Sequence, residues 1–188
     1  MRIVSLLLLV FLSGSLQGCF PVVAVGVGTG IMMAQDRRTS GAYVEDEAIE
    51  TKSFDHIGKQ YKNTVHVNVT SFNRNVLISG EVPSEEIKAE IGKLVSSIEN
   101  VRNVSNELII SGPTSLTSRS SDSLVTSDVK LRFAGDKRFN ADHVKVVTEN
   151  GTVFLMGIVK RAEADAATEV ASTTGGVQRI VKLFEYLD

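Results

Sequence analysis

Few side chains in this sequence are equipped for chemistry. There is one cysteine, Cys19, and there are three histidines, His56, His66 and His143. A single cysteine forms no internal disulfide and no cysteine-rich metal site. It is left as a buried thiol, a nucleophile, a metal ligand or a point of attachment. No histidine lies near Cys19 in sequence to activate its thiol. His66 and His143 stand at equivalent points of two similar segments, which suggests a shared structural role. They fall in different segments with no paired acidic cluster, so no metal site is expected, and no cofactor is implied. Glu45, Asp46 and Glu47, and Glu85 and Glu86, precede periodic apolar stretches and read as helix starts, where negative charge is favourable. The Ser-rich run 115–123 lacks Gly-x-Ser-x-Gly and is no nucleophile elbow. Nothing here predicts an enzyme.

The position of Cys19 narrows its role. Met1 and Arg2 give a short positive start, 3–12 is apolar except for Ser5, and Ser13, Gly14 and Ser15 follow. That order is a secretory signal, with an apolar stretch too short to span a bilayer. The signal ends in Leu16-Gln17-Gly18-Cys19, which resembles the bacterial lipobox. The resemblance implies removal of 1–18 as a signal peptide, diacylation of the Cys19 thiol by palmitate-type chains, and acylation of the new amine. Each buried methylene contributes about 0.8 kcal/mol, so several acyl chains hold a protein on a membrane. Phe20, not Asp, follows the cysteine. Similarity to enterobacterial sorting signals then implies the outer membrane, with the protein facing the periplasm. The Gly-rich stretch 22–30 lacks the context of a phosphate loop and reads as part of a tether, 19–45. Arg37 and Arg38 close it, as headgroup contacts or as solvated charges.

The net charge of −2 gives no basic excess, so no nucleic-acid partner is expected. The body holds an internal repeat. His143 follows His66 by 77 positions, and the two stretches align without a gap. Val67 matches Val144, Val69 matches Val146, Val76 matches Val153, Gly80 matches Gly157 and Val82 matches Val159. Apolar residues with period two flank an Asn-containing turn, the pattern of a β-hairpin. Asn150-Gly151 is the stronger turn, and Asn73-Arg74-Asn75 the weaker. Helical spacing follows each hairpin: Ile87, Ile91, Leu94, Val95 and Ile98, then Ala162, Ala166, Ala167, Val170 and Ala171. A strand closes each unit, and a helix precedes each hairpin, at 45–61 and 122–134. The predicted class is α+β: two tandem α-β-β-α-β units, 46–112 and 122–188. Each has two helices packed on one face of a three-stranded mixed sheet. A Ser-rich linker, 113–121, joins them.

The unit resembles the BON domain, most clearly in Val153-Phe-Leu-Met-Gly-Ile-Val159 and Gly176-Val-Gln-Arg-Ile180. Two such units behind a lipobox are similar to a group of double-BON outer-membrane lipoproteins. That resemblance implies a non-enzymatic protein that binds anionic phospholipid of the phosphatidylglycerol kind and supports outer-membrane integrity. In some members it implies gathering at the division site. It places the lipid contact on the first helix of the second unit.

The residues of that helix bear on the role directly. Counted from Leu124, the positions Val125, Val129 and Phe133 fall at roughly 100°, 140° and 180°, one core stripe. Leu124, Leu131 and Ala134 fall at about 0°, 340° and 280°, with Lys130 beside them. A helix with one core face has no need of a second apolar stripe. Leu124, Ser127, Lys130, Leu131 and Ala134 are therefore the expected phospholipid contacts. Two roles stay open for the stripe: contact with a membrane, and packing on the other unit. Leu124 and Ala134 are smaller than their counterparts in the resembling group, which implies weaker lipid affinity. An adaptor that binds proteins of envelope assembly or peptidoglycan remodelling is the alternative reading.

Overall fold

Each half of the chain is organised by a hairpin whose turn needs left-handed backbone. The computed structural model describes residues 36–62, 64–112 and 115–188, so Cys19, the signal and most of the tether lie outside the described residues. The first half runs α1 (Ser40–Tyr61), β1 (His66–Phe72), β2 (Asn75–Val82), α2 (Glu85–Ser96), β3 (Asn103–Asn106) and β4 (Ile109–Ile110). The second runs α3 (Leu116–Gly135), β5 (Val144–Glu149), β6 (Thr152–Val159), α4 (Arg161–Ser172) and β7 (Arg179–Tyr186). Asn73 and Arg74 turn the first hairpin at φ 51° and 66°, and Asn150 and Gly151 turn the second at 50° and 70°. Two consecutive positive φ values match the right-handed twist of the flanking strands.

A helix carboxylate clasps each turn. Asp46 of α1 accepts from the backbone N–H of Asn73 and Arg74 at 2.8 and 2.7 Å. Asp122 of α3 accepts from Asn150 and Gly151, both at 2.9 Å. Both carboxylates are buried. Charge-assisted bonds to otherwise unpaired turn amides fix the helix against the hairpin. Asp46 thus has a different task from the helix-start charge expected of it.

The matched glycines have a steric reason. A Cβ on Gly80 would lie 2.1 Å from the His66 carbonyl oxygen, and one on Gly157 would lie 2.3 Å from that of His143. The shared role of the two histidines is therefore carried by their backbone carbonyls. Their rings lie in different surroundings.

In each unit the central strand pairs antiparallel with the first strand and parallel with the last. The last strand of the first unit is interrupted at Glu107 and Leu108, which makes that sheet four-stranded, with the same register on both sides of the break. Helices α1 and α2 cover one face through Ile49, Ile57, Ile91 and Val95 over Val76, Ile78 and Val82. Helices α3 and α4 do the same through Val129, Phe133, Ala167 and Val170 over Val146, Val153 and Leu155. Along α4 the buried alanines are Ala164, Ala166, Ala167 and Ala171, whereas Ala162 is exposed.

The opposite faces of the two sheets meet. Phe72 and Leu77 pack against Phe154 and Met156, with Val147, Ile158, Val181 and Leu183 around them. The layers are helices, sheet, sheet, helices. The linker expected at 113–121 is largely helical, because α3 begins at Leu116 and Ser115 caps it by accepting from Ser118 N–H at 3.2 Å. Likewise α1 begins at Ser40, inside the expected tether, capped by Thr39 accepting from Ala42 N–H at 3.1 Å. Serine and threonine at these points start helices and do not loosen the chain.

Gly157→Ala should lower unfolding free energy by about 2 kcal/mol or more, because the β5 backbone has to move. Gly175→Ala, where no atom lies within 4 Å, should stay within about 0.5 kcal/mol. Urea denaturation of the two variants beside the parent chain measures the difference.

Candidate functional site

Helix α3 presents two faces of different kinds. Val125, Val129 and Phe133 are buried, and the Phe133 ring meets Phe139 edge-on at 5.0 Å. On the other side Leu124 and Leu131 are 68% and 71% exposed. Ser127, Lys130 and Ala134 are exposed with them, so all five expected contacts share the outward surface. The Ser127 hydroxyl donates to the Ser123 carbonyl at 2.9 Å and is engaged within the helix. The units meet through their sheets, and both leucines face solvent. Lys130 and Ala134 border a groove of about 480 Å³ that Arg38, Tyr43 and Phe72 line from the first unit.

The basic residues around α3 divide into two kinds. Arg132 donates to the hydroxyls of Thr173 and Thr174, each at 2.8 Å. Arg138 pairs with Asp136 and Glu169 at 2.8 and 2.7 Å. Lys130 and Lys137 form no ion pair among the described residues. Both lysines are exposed.

Arg37 and Arg38 are neither headgroup contacts nor solvated charges. Arg37 donates to both oxygens of Glu163 at 2.6 and 2.8 Å and to the Ile158 carbonyl at 2.9 Å, which ties the segment to the second unit. Arg38 binds Asp36 and Asp46, and its guanidinium lies 4.3 Å from the Phe72 ring centre. The hydrogen bond from Arg37 holds the Glu163 carboxyl down at about 2, against an ordinary value of 4.5. Sequence alone shows two adjacent arginines and gives no sign of partners more than a hundred residues away.

A second polar cluster lies between the sheets. His66 Nε2 is 3.5 Å from Glu149 Oε1, and Asn68 donates to Glu149 Oε2 at 2.7 Å. Glu81 is directly opposite His66 across the β1–β2 pair. Burial pushes the Glu149 carboxyl up, opposed by the Asn68 hydrogen bond and the His66 charge and reinforced by Glu81 and Asp122. Hairpin register sets Glu81 opposite His66, whereas only the docking of the two units brings Glu149 to them, and nothing in the sequence singles it out.

Residues 45–112 and 121–188 each match the BON domain. The chain belongs to the BON-domain family. It is 39% identical to the outer membrane lipoprotein DolP of Haemophilus influenzae over 92% of this chain and 91% of that one. Identity to a 21 kDa hemolysin of Actinobacillus pleuropneumoniae is 33%, covering 81% and 79%. Identity to the osmotically-inducible protein Y of Escherichia coli is 30%, covering 74% and 72%. With two BON units and this similarity, the protein is of the DolP type. Among solved structures, the C-terminal domain of CdsD from Chlamydia trachomatis covers 72% of this chain and 96% of its own, at 13% identity and a TM-score of only 0.32. No helix among the described residues is long and apolar enough to cross a membrane.

A carboxyl whose folded value is lowered stabilises the fold above its unfolded value, and that stability is lost as pH falls through the folded one. For Glu163 the window runs from 4.5 down to about 2. The parent chain should therefore lose stability more steeply across that window than Glu163→Gln, and the two curves should approach each other at its lower end. Urea titrations at stepped pH read the difference.

Proposed function

We propose that this BON protein is a non-enzymatic outer-membrane lipoprotein, anchored through acylated Cys19 after removal of 1–18, that binds anionic phospholipid with the outer face of α3. The observation that carries the reading is the pair Leu124 and Leu131, two turns apart and both mostly exposed on a helix whose other face is core. The Haemophilus relative is named an outer membrane lipoprotein, which supports the placement.

Charge separates α3 from its counterpart. Helix α1 also exposes Val44 and Phe54, at 65% and 75%. It carries five acids, Glu45, Asp46, Glu47, Glu50 and Asp55, against Lys52 and Lys59. Helix α3 carries Arg119, Lys130 and Arg132 against Asp122 and Asp128. An anionic surface repels the first helix and attracts the second. The magnitudes divide the labour. Two leucines contribute roughly 3 to 6 kcal/mol if fully buried, less in an interface, and each nearby lysine about 1 kcal/mol. That is a weak, reversible contact, so residence on the membrane falls to the acyl chains and recognition to α3.

Unacylated chain comprising residues 20–188 should float with phosphatidylglycerol vesicles, and much less with phosphatidylcholine alone. Leu124→Asp with Leu131→Asp should weaken binding at least tenfold while leaving the circular dichroism spectrum unchanged, since both sites are solvent-exposed. Undiminished flotation of the folded double variant would remove α3 as the contact. Crosslinking in cells to a single envelope protein, without vesicle binding, would favour an adaptor.

A further inference from the structure

We propose that His66, Glu81 and Glu149 form a site for a divalent transition-metal ion, zinc foremost, that bridges the two BON units. The three side chains each offer one ligand atom, and these atoms all lie within 4.8 Å of one another. Two of the ligands are set by strand register. His66 faces Glu81 across β1 and β2, and Asn68 faces Ser79 in the next row. These four make a polar patch on a sheet face that elsewhere presents Phe72 and Leu77. Glu149, the last residue of β5, brings the third ligand from the other unit.

The site is acidic, and its carboxylates are buried. Glu81 and Glu149 are 2% and 8% exposed. Two carboxylates in one buried place repel each other and lose hydration, and a bound cation offsets both costs. Asp122, also near, is already committed to the amides of Asn150 and Gly151. A separate observation points the same way. The Ser79 hydroxyl, in a residue 1% exposed on the same patch, has no hydrogen-bond partner. A metal-bound water is the kind of group that would satisfy it.

The donor set selects the ion. One imidazole and two carboxylates suit zinc, or manganese less tightly, whereas calcium takes six to eight oxygens. Ligand atoms around one tetrahedral zinc sit roughly 3.3 to 3.5 Å apart, given bonds of about 2.0 to 2.2 Å. Closing from the present spacing asks only for small side-chain rotations. Asn68 already orients the carboxylate of Glu149 through its other oxygen, the supporting role that metal ligands require. Access is available from a cavity of about 350 Å³ bordered by His66, Asn68, Thr126 and Glu149.

The full chain in detergent, with Cys19→Ser throughout so that the thiol binds no metal, is stripped with EDTA and titrated with zinc chloride by calorimetry. One zinc per chain should bind, and the melting temperature should rise with zinc. Glu149→Gln and His66→Gln should each weaken binding at least tenfold, while Asp165→Asn, on the exposed side of α4, should not. Without metal, Glu149→Gln should melt higher than the parent, having lost a buried charge. Zinc bound equally by the folded variants, or no stoichiometric zinc, overturns the site. Should both variants unfold, X-ray absorption of the zinc-loaded parent decides: one imidazole with carboxylate oxygens supports the site, and a shell without imidazole sinks it.

Discussion

The two sheets bury each other, and the arrangement of everything else follows from that. A sheet with helices on one face still has a second face to cover. Here Phe72 and Leu77 of one unit and Phe154 and Met156 of the other cover it mutually. Units of this size are near the lower limit for folding alone, and joining their sheets gives each unit a second buried face. Once the sheets meet, all four helices lie on the outside of the stack. Among the described residues no further layer covers a second apolar stripe on a helix. Leu124 and Leu131 are exposed for this reason, and their exposure is a property of the architecture, not of a loose helix end.

The repeat conserves its skeleton and varies its surfaces. Both units keep a buried aspartate on the turn amides and a glycine beneath a strand carbonyl, where a Cβ would collide with that carbonyl. Away from those points the units diverge. The polar rim of the sheet interface is asymmetric: Asn73 and Asn75 donate to Glu185 at 2.8 and 2.7 Å, Lys145 to Glu50 at 3.0 Å, and Asn68 to Glu149 at 2.7 Å. Such bonds add specificity of register and orientation more than net stability, since their partners give up water to form them.

What the sequence discloses is what short-range chemistry determines. Period-two apolar residues around Asn150-Gly151 define a hairpin, and the spacing of Val125, Val129 and Phe133 defines a buried helix face. The outward position of Leu124 follows from the same count. Double-sided burial of the sheets was also written there, in the consecutive apolar residues Val76-Leu77-Ile78 and Val153-Phe154-Leu155-Met156, which a half-exposed strand would not carry. The contacts of Arg37 with Glu163 and of His66 with Glu149 were not. They depend on how one unit is rotated against the other, and no local pattern encodes that angle. The serines of 115–123 misled for a different reason: a loop composition and a capped, solvent-facing first helical turn use the same residues.

Segment 36–38 stands between the proposed anchor and the proposed reader in the chain. Arg38 sits between Asp36 and Asp46 and against the Phe72 ring, while Arg37 reaches across to Glu163. Segment 36–38 is therefore pinned to both units at once. Arg38 also shares a groove with Lys130 and Ala134, so segment 36–38 lies beside the C-terminal half of α3. The proposed acyl anchor would confine that helix to the neighbourhood of the lipid surface, where a contact of a few kcal/mol would be effective because the local concentration of headgroups is already high. On that proposal a small stripe of two leucines, too weak to recruit the protein from solution for long, would suffice to orient it.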